Sequence, residues 1–207
     1  VPAGTFRPVE DNALPPEALA DAPVPPHPPF ALARTIVLVG LMGAGKSSIG
    51  KRLAQRLHVP FLDADTEIEN AAGCTIDEIF ERHGEAAFRD GERRVIARLL
   101  DEHPPHVLAT GGGAFMDAET RARIRARSVS VWLRADLDVL VRRVKKRNNR
   151  PLLKRGDPRE ILEKLIALRY PVYAEADIAV ESLDGPHDQV VDAILARLAP
   201  LQDTQHG

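Results

Sequence analysis

The octapeptide Gly40-Leu41-Met42-Gly43-Ala44-Gly45-Lys46-Ser47 constrains this chain more than any other stretch. It fits G-x-x-x-x-G-K-[ST] at every position. It follows the β-branched run Thr35-Ile36-Val37-Leu38-Val39 and opens a segment with Ile49, Leu53 and Leu57 at four-residue spacing. A buried strand, a glycine-rich turn and a helix in that order suit the cradling of phosphate. Glycines let the backbone curl until successive N–H groups face one anion, and the helix N-terminus adds its positive end at the same point. Lys46 can reach β- and γ-phosphates, and the Ser47 hydroxyl can ligate Mg²⁺. The bland alternative is a glycine-rich turn carrying an accidental lysine. With all eight positions matched and the right flanks, the motif points to a nucleoside triphosphate.

The rest of the chain alternates in the same manner. Short apolar runs recur at 61–62 leading into Asp63, at 107–109 before three glycines, at 128–133 and at 178–180. Helical patterns are predicted over 45–57, 86–100, 117–127, 136–147, 158–170 and 187–198, with Asp117 and Asp136 where N-caps belong. Strands alternating with helices imply parallel crossovers. The expected fold is a three-layer α/β/α sandwich around a five-stranded parallel sheet, of the P-loop NTPase type.

Composition bounds the chain without choosing its chemistry. Hydrophobic residues make up 44% and charged residues 28% of 207, which suits one ordinary globular domain. A net charge of −2 excludes bulk attraction to polyanions, and 4% aromatics argue against a base-stacking surface. No apolar run approaches the roughly 18 residues needed to span a bilayer. The one cysteine, Cys74, allows no intrachain disulfide framework and suits a reducing compartment. It falls in an expected helix-to-helix turn, and no two of the seven histidines stand at i, i+4, so a zinc site is not expected. Nine of the 17 prolines lie within residues 1–30. Residues 1–33 are therefore expected to be a disordered, Pro-rich extension, 34–199 the folded domain and 200–207 a tail. The extension has one basic residue before Arg34, against four acids, and no apolar core. A targeting segment is not expected, and a cytoplasmic protein is.

The phosphate loop does not choose among GTPases, motors and small-molecule kinases. Asn-Lys-x-Asp, which would read guanine, does not occur. The run at 107–109 closes in Thr110-Gly111-Gly112-Gly113 rather than in an acid, so the carboxylate near a metal must come from elsewhere. Asp63 and Asp65, spaced by one at a strand end, offer it. One can hold a metal-bound water while the other accepts from substrate hydroxyls; a helix cap near Thr66 would explain one of them. Arg89 can fork onto a carboxylate, although an arginine on a helix is ordinarily solvated. The glycine triplet either lets a ring approach the backbone or forms a flexible turn. Segment 142–159 holds nine of the 28 basic residues and one acid, Asp157. It reads as a nucleic-acid patch, a solvated helix end, or a mobile lid over a triphosphate.

Taken together these pieces resemble the shikimate kinase family. The resemblance rests on Gly-Leu-Met-Gly-Ala-Gly-Lys-Ser at 40–47, Asp-Ala-Asp at 63–65 and Phe-Arg at 88–89 with Glu92. Ala-Thr-Gly-Gly-Gly at 109–113, Arg-Pro-Leu-Leu at 150–153 and Arg-Tyr-Pro-Val-Tyr at 169–173 complete it. It implies ATP-dependent phosphorylation of the shikimate 3-hydroxyl, a step of chorismate and aromatic amino-acid biosynthesis, by a monomer acting on small molecules without nucleic acid or membrane. By the same resemblance, Gly43, Ala44, Gly45, Lys46, Ser47 and Ser48 hold ATP phosphates. Ser47 ligates Mg²⁺, with Asp63 acting through water. Asp65 orients or deprotonates the attacking hydroxyl, Arg89 and Arg169 clamp the acceptor carboxylate, and Gly112 approaches the ring. Arg150 meets the phosphates from a lid at about 142–159, while Arg143 and the loop around Asp184 and Pro186 lie by the adenine. Ser48 stands where threonine is common in the family.

Overall fold

The computed structural model describes residues 31–102, 104–146 and 156–203. The apolar runs form the five strands: β1 (Thr35–Val39), β2 (Phe61–Asp63), β3 (Val107–Ala109), β4 (Ser128–Arg134) and β5 (Ile178–Glu181). All neighbouring pairs are parallel, in the order β2-β3-β1-β4-β5. Burial of all five residues of β1 and six of the seven in β4 requires helices over both faces. On these faces α1 (Lys46–Leu57) packs with α7 (His187–Asp203), and α3 (Ile76–Glu102) packs with α4 (Ala118–Arg127). The expected three-layer sandwich is the observed one. The chain moves outward from β1 to β3 and β2 on one side and to β4 and β5 on the other. The crevice beside the C-terminal end of β1 is thus the topological switch point, where such sheets receive ligands. Register aligns Leu38, Ala109 and Asp63 across β1, β3 and β2, so the segments that follow them emerge at one level.

Several boundaries differ from expectation for physical reasons. Asp63 both ends β2 and caps α2 (Ala64–Ala72), accepting from the Asp65 N–H at 3.2 Å. The helix therefore starts two residues before Thr66, and Asp65 rides on its first turn instead of projecting from a strand. Helix α3 is longer than the predicted 86–100 segment, which is its second limb beyond a break at Gly84 (φ 78, ψ 176). Its first limb opens on a reciprocal cap: Thr75 N–H donates to Glu78 at 2.9 Å and Glu78 N–H donates to the Thr75 hydroxyl at 3.2 Å. Asp117 caps α4 through Thr120 N–H at 2.8 Å, and that bond holds its carboxyl below the usual range. Asp136 occupies the cap position of α5 (Leu137–Lys145) without a side-chain hydrogen bond. Asp157 caps α6 (Pro158–Tyr173), which has Pro158 in its first turn. Helix α7 continues through Pro200 to Asp203, past the end expected at Leu198. Most of the predicted N-terminal extension, residues 1–30, lies outside the described residues. So do the last four residues, the body of the predicted lid at 147–155, and Arg150.

Candidate active site

The phosphate loop turns sharply out of β1. Gly40 sits at φ 143, and a Cβ there would lie 2.8 Å from the Leu133 carbonyl oxygen, so only glycine fits between β1 and β4. Lys46 reaches back over the loop and donates to the carbonyls of Gly40 at 2.7 Å and Leu41 at 3.1 Å. Lys46 lines the cleft together with Ser47 and Ser48 of the first turn of α1, where free helix amides favour an anion. Ser47 Oγ donates to Asp63 Oδ2 at 2.8 Å, joining the loop to the end of β2.

The far side of the loop is braced by Arg143 on α5. Its Nη1 donates to the Gly43 carbonyl at 3.2 Å and to Ser182 Oγ at 2.9 Å, while Nη2 donates to the Leu183 carbonyl. Ser182, buried just beyond β5, donates its own hydrogen bond to the Ala44 carbonyl at 2.8 Å. Arg142 pairs with Asp184 at 3.0 Å, and Arg159 pairs with Asp138 at 2.7 Å. These basic residues of the 142–159 segment thus face protein carboxylates.

The glycine triplet organises the opposite wall. A Cβ on Gly111 would lie 2.8 Å from Glu92 Oε1 and 3.0 Å from Asp65 Oδ1. On Gly112 it would lie 3.1 Å from Arg169 Nη1, and on Gly113 it would lie 2.4 Å from Arg89 Nη1. Each missing side chain is therefore replaced by a functional group from another element: α2 and α3 at Gly111, α6 at Gly112, and α3 again at Gly113. Arg169 Nη1 donates to the Gly112 carbonyl at 2.8 Å, and Arg89 Nη1 donates to Glu92 Oε2 at 2.7 Å. Along three residues the floor passes from carboxylates to two guanidiniums. The phosphate loop closes against it, since the Gly112 Cβ position is 3.6 Å from the Gly40 oxygen. Phosphate loop, Asp63, Asp65, Arg89, Arg143, Arg169 and the glycines all line one cleft of about 1030 Å³. Phe80 and Phe88, with ring centroids 4.7 Å apart, give this cleft an apolar flank.

This geometry coincides with a sequence match. The family model described as shikimate kinase matches residues 42–199. The chain belongs to the shikimate kinase family. A shikimate kinase of Caulobacter vibrioides is 63% identical over 166 residues, covering 80% of this chain and 82% of that protein. One from Bradyrhizobium diazoefficiens is 58% identical over 191 residues, covering 92% and 90%. Among solved structures, the shikimate kinase from Acinetobacter baumannii in complex with shikimate superposes with a TM-score of 0.76. It is 36% identical and covers 84% of this chain and 96% of its own. The present chain is thus a phosphotransferase of the shikimate kinase family, with the α/β P-loop fold that it shares with these relatives.

In this shikimate kinase-family site, Gly43, Gly45, Lys46, Ser47, Ser48, Asp63, Asp65, Arg89, Gly112, Arg143 and Arg169 line the cleft, whereas Ala44 is buried and Asp184 and Pro186 do not line it. Two contributors carried no assigned role in the sequence reading. Glu92 was visible only as part of a motif, and the signal for its role is its place three residues after Arg89 on a helix, where the two side chains meet. Ser182 had no signal beyond lying just after the last strand. Glycine spacing alone suggested room for a substrate ring, whereas the room is first used by the protein's own side chains.

Proposed function

We propose that this chain transfers the γ-phosphoryl group of ATP to the 3-hydroxyl of shikimate, giving 3-phosphoshikimate and ADP, through the following division of labour. The amides of residues 43–48 and Lys46 hold the ATP phosphates, and Lys46 exchanges its loop carbonyls for phosphate oxygens. Arg143 lies beside the adenine with the loop around Asp184. Asp65 accepts from the acceptor hydroxyls, orients the attacking 3-hydroxyl and takes its proton as the new O–P bond forms and the bond to ADP breaks. Arg89 and Arg169 fork onto the carboxylate, and the Gly112 backbone borders the ring.

The observation that carries this reading is the order of groups along the glycine triplet. An acceptor of hydroxyl protons stands beside the guanidiniums of Arg169 and Arg89 along one three-residue strip, next to the phosphate loop. That order suits a small anion bearing hydroxyl groups, held at one end by its acid and at the other by its alcohols. Positioning and charge neutralisation supply most of the catalysis in such a reaction.

The donor set next to the phosphates fits Mg²⁺. Among the described residues no cluster of three or more His, Cys, Asp or Glu could hold a metal by itself. A hydroxyl and a carboxylate oxygen 2.8 Å apart, at Ser47 and Asp63, suit an ion that binds through few protein oxygens and keeps phosphate oxygens and water. Ser47 would hold it directly and Asp63 through water, and the ion would supply neutralisation of phosphate charge. A monomer belongs to the same reading, and a cytoplasmic location accords with the single thiol. No described helix is long and apolar enough to cross a membrane.

An ADP-release assay run with shikimate, with gluconate and without acceptor tests the reading. Release dependent on shikimate alone is expected. Release with gluconate would reassign the acceptor, and acceptor-independent release would point to a nucleotide-binding regulator.

A further inference from the structure

Tyr173 is fully buried at the C-terminal end of α6, one turn beyond Arg169. Its hydroxyl donates to the Gly112 carbonyl, the same oxygen that accepts from Arg169 Nη1. The ring is held among aromatic neighbours, with centroids 6.1 Å from Trp132 and 6.4 Å from Phe115. Burial pushes the phenol up to about 12, so it remains a donor throughout the neutral range. Gly112 itself is wedged between α6 and the phosphate loop, its Cβ position 3.6 Å from the Gly40 oxygen and 3.8 Å from the Met42 nitrogen.

We propose that Tyr173 is a positioning residue for the acceptor site: its hydroxyl pins the Gly112 carbonyl and thereby fixes both the glycine strip and the guanidinium of Arg169. The inference rests on the reading of Arg169 as a carboxylate partner. A carbonyl oxygen offers two lone pairs. Tyr173 takes one of them permanently, from a ring that packing does not allow to turn away. Arg169 takes the other, and it is free to redirect an N–H toward an incoming carboxylate because the carbonyl then keeps one donor. Without the phenol, the same movement leaves a part-buried acceptor unpaired, and the cost of that unpaired group is charged against substrate binding. Helix α6 is thereby tied at its far end to the strip that borders both half-sites.

Tyr173→Phe tests this, because it keeps the packed ring and removes one hydroxyl. Shikimate KM and ATP KM are measured separately, with Tm, on Tyr173→Phe, Arg169→Ala and the double variant. Loss of one neutral hydrogen bond predicts a rise of about 3- to 12-fold in shikimate KM. ATP KM should stay within about twofold, and the double variant should lose less than the product of the two single effects. An unchanged shikimate KM in Tyr173→Phe overturns the inference. So does an equal rise in both KM values with a matching fall in Tm, which would make the hydroxyl a general stabiliser. Should Arg169→Ala leave shikimate KM unchanged, the carboxylate clamp falls and the inference falls with it. If Arg169→Ala raises that KM and Tyr173→Phe does not, the inference alone falls.

Discussion

Arg89 donates from Nη1 to Oε2 of Glu92 at 2.7 Å, three residues further along α3, and the Glu92 side chain is only 4% exposed. Its other oxygen, Oε1, has no hydrogen-bond partner among the described residues. Burial raises the Glu92 pKa above its ordinary 4.5, the Arg89 contact opposes that rise, and the charges of Asp65 and Asp117 reinforce it. The pair thus holds a guanidinium in place at the expense of an ionised carboxylate kept away from water.

The sign of that shift sets a pH dependence. A native pKa above the unfolded value gives stability that is present below 4.5 and lost as pH rises through the native value. Glu92→Gln keeps the shape and removes the titration. The Tm of the variant relative to wild type should increase as pH rises from 4.5 toward neutrality, while shikimate affinity falls because Arg89 loses its buried charged partner and keeps the exposed Glu85 at 3.5 Å. A difference in Tm that shrinks as pH rises would contradict the assignment.

Gly113→Ala should damage the acceptor side alone. The residue has φ −96 and ψ −19, which alanine adopts readily, yet its Cβ would lie 2.4 Å from Arg89 Nη1. The backbone is tolerant and the guanidinium must move. Shikimate binding should weaken by roughly 10-fold or more, as for loss of a charged hydrogen bond, with ATP binding nearly unchanged. Gly91→Ala is the matched control, since a Cβ there meets nothing within 4 Å. In the interior of α3 it should stabilise the protein by about 0.5–1 kcal/mol, read as a higher Tm.

Lys46→Ala should cut kcat by about 100-fold or more, the scale of losing one preorganised charge at a developing anion. The lysine donates to the loop carbonyls of Gly40 and Leu41 within its own segment, so the far-ultraviolet spectrum should not change and Tm should move by a few degrees at most. Near-normal kcat would remove the phosphate-loop assignment.

The architecture was legible because its signals are local. The β-branched run at 35–39 and the glycine-lysine-serine turn specify β1, the loop and α1 within 23 residues, and burial of both sheet faces leaves no alternation to misread. The first limb of α3 carries a readable cap at Thr75 and Glu78, yet its helix is interrupted at Gly84, which blurs the 3.6-residue period. Asp63 illustrates a different limit. One carboxylate caps α2 through Asp65 N–H and accepts from Ser47 Oγ, so the structural and functional readings of that residue are both true. Contacts across long separations were not legible. Ser182 meets Ala44 and Tyr173 meets Gly112 only because the sheet brings β5 and α6 to the phosphate end.

Arg89 and Arg169 as partners of the acceptor carboxylate are tested by titration calorimetry of Arg89→Ala with shikimate and ATP in separate experiments. Removing one partner of a charge-assisted, desolvated pair costs about 2–5 kcal/mol, so shikimate affinity should fall roughly 30- to several-thousand-fold. ATP affinity should change by less than about twofold, because Arg89 makes no contact with the phosphate loop; Arg89→Lys should also bind shikimate poorly, having the charge without the planar fork. Unaltered shikimate affinity in Arg89→Ala would contradict the carboxylate clamp and with it the choice of acceptor.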